Sequence, residues 1–138
     1  MEKIRLTNSY DEEYVSRGDA APDSVRSLEI EALVDTGATM LMLPADVVAA
    51  LGLREVARRK VRYANGDIAE VPVVAGVKLT ILGRDMVANA LVERAGTTAL
   101  IGQIPLEELD LLVDPKSRKL HVNPASPEAP LLDALSAA

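Results

Sequence analysis

The stretch from Glu31 to Pro44, EALVDTGATMLMLP, sets one ionisable side chain, Asp35, inside an otherwise apolar run and follows it at once with Thr36 and Gly37. A carboxylate at the end of a buried strand is costly unless it is paired, hydrogen-bonded or protonated, so a residue kept there is a candidate proton donor or acceptor. The residues after it suit hydrogen bonding. Gly37 lets the backbone turn sharply and bring main-chain N–H groups to the carboxylate, and Thr36 adds a hydroxyl that can lock the loop. An isolated Asp-Thr-Gly fits a satisfied structural turn equally well. Few other residues offer chemistry. The chain has no Cys, which removes disulfides, thiolate zinc sites and cysteine nucleophiles together, and its single His, His121, argues against a metal centre. No metal and no cofactor are expected.

The elements that position Asp35 follow from hydrophobic periodicity. KIRLTN alternates Ile4 and Leu6 with polar neighbours and reads as a first strand; Ser9 to Ser24, with Gly18, Pro22 and several acids, reads as a loop. VRSLEIEALVD alternates again, with Leu28, Ile30 and Ala32 on one face, and runs directly into Asp35. Pro44 opens a short amphipathic helix that Gly52 ends. In VRYANGDIAEV, Asn65-Gly66 suits a tight type I′ hairpin turn. VPVVAGVKLTI and MVANALVE are strand-like and joined at Gly83-Arg84-Asp85. TTALIG is a further strand, IPLEELDLL a short helix, and LLVDPKSRKLHV a closing hairpin turning at Asp114-Pro115. Residues 1–122 are expected to form one domain, and 123–138, with Pro124, Pro127 and Pro130, a tail that is mobile until something holds it. Short strands, many hairpins and one or two short helices describe a mainly β fold, a barrel or sandwich.

Composition sets the outer limits. At 138 residues and 49% hydrophobic, the chain can bury a core unaided. Phe and Trp are absent, so that core must come from Val, Leu, Ile, Ala and Met, and base stacking on aromatic side chains is not expected. A formal net charge of −6 also argues against a nucleic-acid partner. The most apolar region is broken by Asp35, Gly37, Pro44 and Asp46, so no membrane partner is expected, and with no signal-like start the default address is cytoplasmic.

The order of these pieces resembles the retroviral-type aspartic proteases, the retropepsins. LVDTGAT, Leu33 to Thr39, is similar to that family's strand, Asp-Thr-Gly-Ala/Ser, strand motif. YANGDI, about 30 residues on, stands in the place of its flap hairpin, and ALIGQIPLEEL, Ala99 to Leu109, in the place of its apolar-apolar-Gly loop and helix. ILGRD, Ile81 to Asp85, mimics the last motif, but choosing it leaves too little chain for the hairpin that follows the flap; Gly102 is therefore preferred and Gly83 read as a turn residue. The resemblance implies a closed β barrel of hairpins forming half of a symmetric dimeric aspartic endopeptidase. It implies that Asp35 is catalytic, that Thr36, Gly37 and Ala38 form the active-site loop, and that Leu100, Ile101 and Gly102 back it. It also implies that Tyr63, Ala64, Asn65, Gly66, Asp67 and Ile68 form the flap over an extended peptide. With one Asp-Thr-Gly per chain, the two carboxylates of the reaction must come from two copies, so the partners implied are a second copy and a peptide or protein substrate.

Two rivals are open at this point. DTGAT also fits the Asp-x-Gly-x-Thr phosphate loop of actin-like ATPases, although that fold needs two domains. A dimeric peptide-binding or assembly module would keep the fold and drop catalysis. The basic run REVARRKVR, Arg54 to Arg62, reads as a solvated edge or as a preference for acidic peptide residues, Tyr63 as a cleft cover or a packing residue, and the apolar cluster PLLDALSAA as an interface segment or a disordered end.

Overall fold

The computed structural model describes residues 1–132. Nine strands and three short helices follow one another as β1 (Glu2–Asn8), α1 (Ser9–Ser16), β2 (Ser27–Val34), β3 (Leu41–Pro44), α2 (Ala45–Leu51), β4 (Glu55–Arg62), β5 (Ile68–Ile81), β6 (Arg84–Glu93), β7 (Ala99–Ile101), α3 (Gln103–Leu109), β8 (Leu111–Val113) and β9 (Leu120–Val122). Seven strands form one sheet in the order β1-β2-β7-β3-β6-β5-β4, and a further β1–β5 pairing closes six of them into a barrel, with β4 left outside the ring. The expected mainly β closed barrel is thus what the chain forms.

Period-two patterning decides which side chains fill it. Along β6, Arg84, Met86, Ala88 and Ala90 are buried while Asp85, Val87 and Asn89 are exposed. β3 is buried on both faces: Leu41 and Leu43 enter the main core with Ile4, Leu6, Val77, Leu79 and Ile101, and Met42 enters a smaller cluster with Val71, Val73 and Leu91. That two-sided burial explains the unbroken apolar run after the Asp35 loop.

β5 is the longest strand, and a bulge divides it. Residues 68–74 pair with β4 and residues 77–80 with β1, with a register shift between Val74 and Val77. Gly76 sits at the bend with φ +75°, and a Cβ there would lie 2.3 Å from the Tyr10 ring. Only glycine satisfies both demands.

Three expectations need correction. Residues 9–16 are helix α1 rather than loop. Its signal is a cap, not an apolar stripe: the Asn8 side chain accepts hydrogen bonds from the Tyr10 and Asp11 amides at 2.9 and 3.1 Å. The turn at Asn65-Gly66 is not type I′, since Gly66 alone has positive φ. The Gly66 N–H bonds the Tyr63 carbonyl and the Tyr63 N–H bonds the Asp67 carbonyl, a three-residue loop whose last residue is left-handed. The two-residue turn with both φ positive is instead at Leu82-Gly83, at +51° and +78°, between the paired Ile81 and Arg84.

The tail, over its described residues, is hydrogen-bonded to Asp110. Asp110 accepts from the Asn123 side-chain amide, the Ser126 hydroxyl and the Leu131 N–H, bonds that hold its carboxyl below the usual carboxylate range. The remainder of the apolar cluster, residues 133–138, lies outside the described residues. Among the described residues no helix is long and apolar enough to cross a membrane.

Candidate active site

Asp35 follows the last residue of β2 and is half-buried at the start of a loop that leads into β3. β7 lies between these two strands, parallel to β2 and antiparallel to β3, so the loop from Asp35 to Met40 straddles its C-terminal end. Backbone hydrogen bonds lock the crossing. The Asp35 N–H donates to the Ile101 carbonyl at 3.0 Å, and the Gln103 and Ile104 amides donate to the Ala38 and Thr39 carbonyls at 2.8 and 2.9 Å. Gly102 is buried at the closest point, where a Cβ would meet the Met40 oxygen at 2.6 Å, the Thr39 carbonyl carbon at 2.7 Å and the Ala38 oxygen at 2.8 Å. Its φ of −87° is open to any residue, so the requirement is for space alone.

Within the loop, the Gly37 N–H donates to Asp35 Oδ1 at 2.9 Å and the Ala38 N–H to the Asp35 carbonyl at 3.1 Å. A Cβ on Gly37 would stand 3.2 Å from Asp35 Oδ1, crowding that bond. The Thr36 hydroxyl, expected to lock the loop, makes no hydrogen bond among the described residues. It is exposed and borders a different hollow, with Gln103, Leu106, Asp110 and Leu112.

Over the Asp35 loop lies a cleft of about 610 Å³. Asp35 and the segment Gly37–Met40 form one wall with Met42, Leu91 and Ile104, and the segment Arg59–Ala64 of the β4–β5 hairpin forms the other. The structure therefore brings Asp35, Gly37, Ala38, Tyr63 and Ala64 around one space. Asn65, Gly66, Asp67 and Ile68 form the exposed tip beyond it, and Leu100, Ile101 and Gly102 stand behind the loop as its support. Met40, Met42, Leu91 and Ile104 were not anticipated as lining residues. No local motif marks them, because they reach the cleft from separate elements. Ile104 alone, an apolar residue two positions after Gly102, carried a hint, and it is 48% exposed.

Tyr63 is fixed by its hydroxyl, which donates to Glu93 Oε1 at 2.8 Å and so ties the hairpin to the end of β6. The Glu93 carboxylate, with partial burial, pushes the phenol above its ordinary range and keeps the donor protonated. Gly83 has no part in the cleft: a Cβ there would meet nothing within 4 Å.

A half-buried carboxylate at the wall of a cleft with apolar lining is suited to acid–base chemistry on a bound ligand. In agreement, the family model described as aspartyl protease matches residues 22–103, which spans β2, the Asp35 loop, the β4–β5 hairpin and Gly102. No curated protein matches the chain.

Proposed function

Because the chain belongs to the aspartyl protease family, in its retropepsin-like form, we propose that it is an endopeptidase whose catalytic residue is Asp35, acting as a pair contributed by two copies of the chain. The observation that carries this reading is the position of Asp35: its carboxylate stands at the wall of a peptide-sized cleft, oriented by the Gly37 N–H and backed by Gly102.

Peptide hydrolysis by carboxylates needs two of them sharing one proton, because like charges a few ångström apart do not both ionise. The chain supplies one Asp-Thr-Gly, so a symmetric dimer with both Asp35 side chains at its two-fold axis completes the pair. The ionised carboxylate takes a proton from water as its oxygen adds to the scissile carbonyl carbon, and the protonated one gives its proton to the carbonyl oxygen. The protonated carboxylate of the pair then gives its proton to the departing nitrogen as the C–N bond of the gem-diol breaks, while the other takes a proton from a gem-diol hydroxyl, which leaves a carboxylic acid, an amine and a singly protonated pair. The β4–β5 hairpin acts as the flap over the bound strand, whose backbone pairs with neighbouring main-chain groups. In such a dimer Thr36, exposed on the Asp35 loop, would meet its counterpart in the second copy.

Digestion of a diverse peptide mixture from pH 4 to 7, read by mass spectrometry with wild type beside Asp35→Asn, tests the reading together with the mass in solution. Cleavage is expected from wild type, lost by at least about a thousandfold in the variant, with specific activity rising with protein concentration as the dimer forms. A folded dimer whose cleavage does not depend on Asp35, or a fully active monomer, overturns it.

A further inference from the structure

The charges around the cleft are lopsided. Among the described residues Asp35 is its one acidic lining residue, whereas Arg59, Lys60 and Arg62 all border it from β4. The imbalance runs against the molecule as a whole, which carries a formal net charge of −6. Strand geometry sorts the three cations. Alternate residues share a face, so Arg59, Val61 and Tyr63 point the same way. Val61 packs against the cluster of Met42, Val71, Val73 and Leu91 beneath the cleft, and Arg59 stands directly across from Val71. That face borders the cleft, so Arg59 lies on its cleft side, and Lys60 and Arg62 line the same space.

These cations are uncommitted. Arg58, on the outer face, is held by Glu55 and Glu70, each at 3.3 Å. Among the described residues Arg59, Lys60 and Arg62 make no ion pair. Three exposed positive charges on one strand repel one another and gain from any anion brought between them.

We propose that the cleft selects peptides carrying acidic side chains beside the bond to be cut, with Arg59 as the residue that reads them. A guanidinium takes a carboxylate through two parallel N–H donors, so the contact discriminates Glu from isosteric Gln. The inference rests on the peptidase reading for what happens to the bound peptide, but the recognition itself is separable from hydrolysis.

The test has two arms. In the first, a proteome-derived peptide mixture is digested by wild type and by Arg59→Glu, and the residues flanking each cut are compared. In the second, fluorescein-labelled octapeptides of alternating Leu and Glu, or of alternating Leu and Gln, are titrated by fluorescence anisotropy onto the Asp35→Asn protein with and without Arg59→Glu. Arg59 is exposed on an edge strand, so its replacement leaves the core untouched. Acidic residues are expected to be enriched at one or more flanking positions. The Glu peptide is expected to bind about tenfold more tightly than the Gln peptide at low salt, with the difference shrinking at high salt and vanishing in Arg59→Glu. Equal binding of the two peptides, or a preference that survives Arg59→Glu, overturns the proposal. Asp35-dependent cuts without acidic enrichment overturn it while leaving the peptidase reading in place. If no cut depends on Asp35 the peptidase reading fails, and the binding arm alone decides for or against acidic selection.

Discussion

Gly83 and Gly102 each follow two apolar residues in the sequence, yet they are glycine for different physical reasons. Gly83 needs a left-handed backbone, φ +78°, in open space; Gly102 has an ordinary φ and no room. Substitution separates the two. Gly83→Ala is expected to cost about 1 kcal/mol and Gly83→Asn less, because Asn tolerates the left-handed region. Gly102→Ala is expected to cost about 1–3 kcal/mol and Gly102→Asn more, since each added atom drives into the backbone of the Asp35 loop. Urea denaturation of the four variants checks the order. The neighbouring Arg84 has a role of its own. Its buried guanidinium donates to the Leu109 and Asp110 carbonyls, each at 3.0 Å, and to the Ser126 carbonyl, joining β6 to the end of α3 and to the tail. Arg84→Met is expected to lose about 1–3 kcal/mol by leaving those carbonyls without a donor, and to open residues 123–132 to limited proteolysis.

Among the elements, α1 shows most clearly what hydrophobic periodicity does not reveal. It buries a carboxylate instead of an apolar stripe: Asp11 accepts from the Arg26 backbone N–H, Nε and Nη2, each at 2.9 Å. These bonds, the side-chain ones first, lower the Asp11 carboxyl below its ordinary value. A lowered carboxyl in the folded state contributes stability that is fully present above its unfolded value, about 4, and that is lost as pH falls through the lowered folded value. Wild type is therefore expected to keep this contribution down to about pH 4 and to lose it as pH falls further. Asp11→Asn should be less stable by about 1–3 kcal/mol at pH 7, with the gap closing at low pH; urea midpoints measured from neutral to low pH check it. The β2 and β6 strands, by contrast, were legible because their alternation is strict and one face is buried. The turn types were not. Asn65-Gly66 has the local chemistry for I′ but sits in a looser loop, while Leu82 accepts a left-handed φ because its neighbours Ile81 and Arg84 are drawn inward.

At the scale of the whole molecule, Asp35, its glycine and the supporting Gly102 could be read from the sequence because each motif is local and their order is specific. The cleft could not. Its apolar wall joins Met42 on β3, Leu91 on β6 and Ile104 on α3, residues far apart in sequence that the β3–β6 pairing and the helix after β7 bring together. The basic run was visible as composition, but which of its residues faces the cleft depended on the pairing of Arg59 with Val71. In the sheet β4 pairs with β5 alone and lies outside the closed ring.

The insertion of β7 between β2 and β3 has a consequence for the order of folding. Asp35 is synthesised early, but the strand and glycine that hold its loop come more than sixty residues later, after both long hairpins. Contacts so distant in sequence close late, because the entropy of the intervening chain is lost before they form. A nascent chain that ends before β7 has its aspartate and most of the barrel strands, but lacks Ile101, Gln103 and Ile104, whose backbone bonds fix the Asp35 loop. Whatever chemistry Asp35 performs is therefore withheld until the end of β7 has been threaded beneath its loop, which makes completion of the fold the condition for having a site at all.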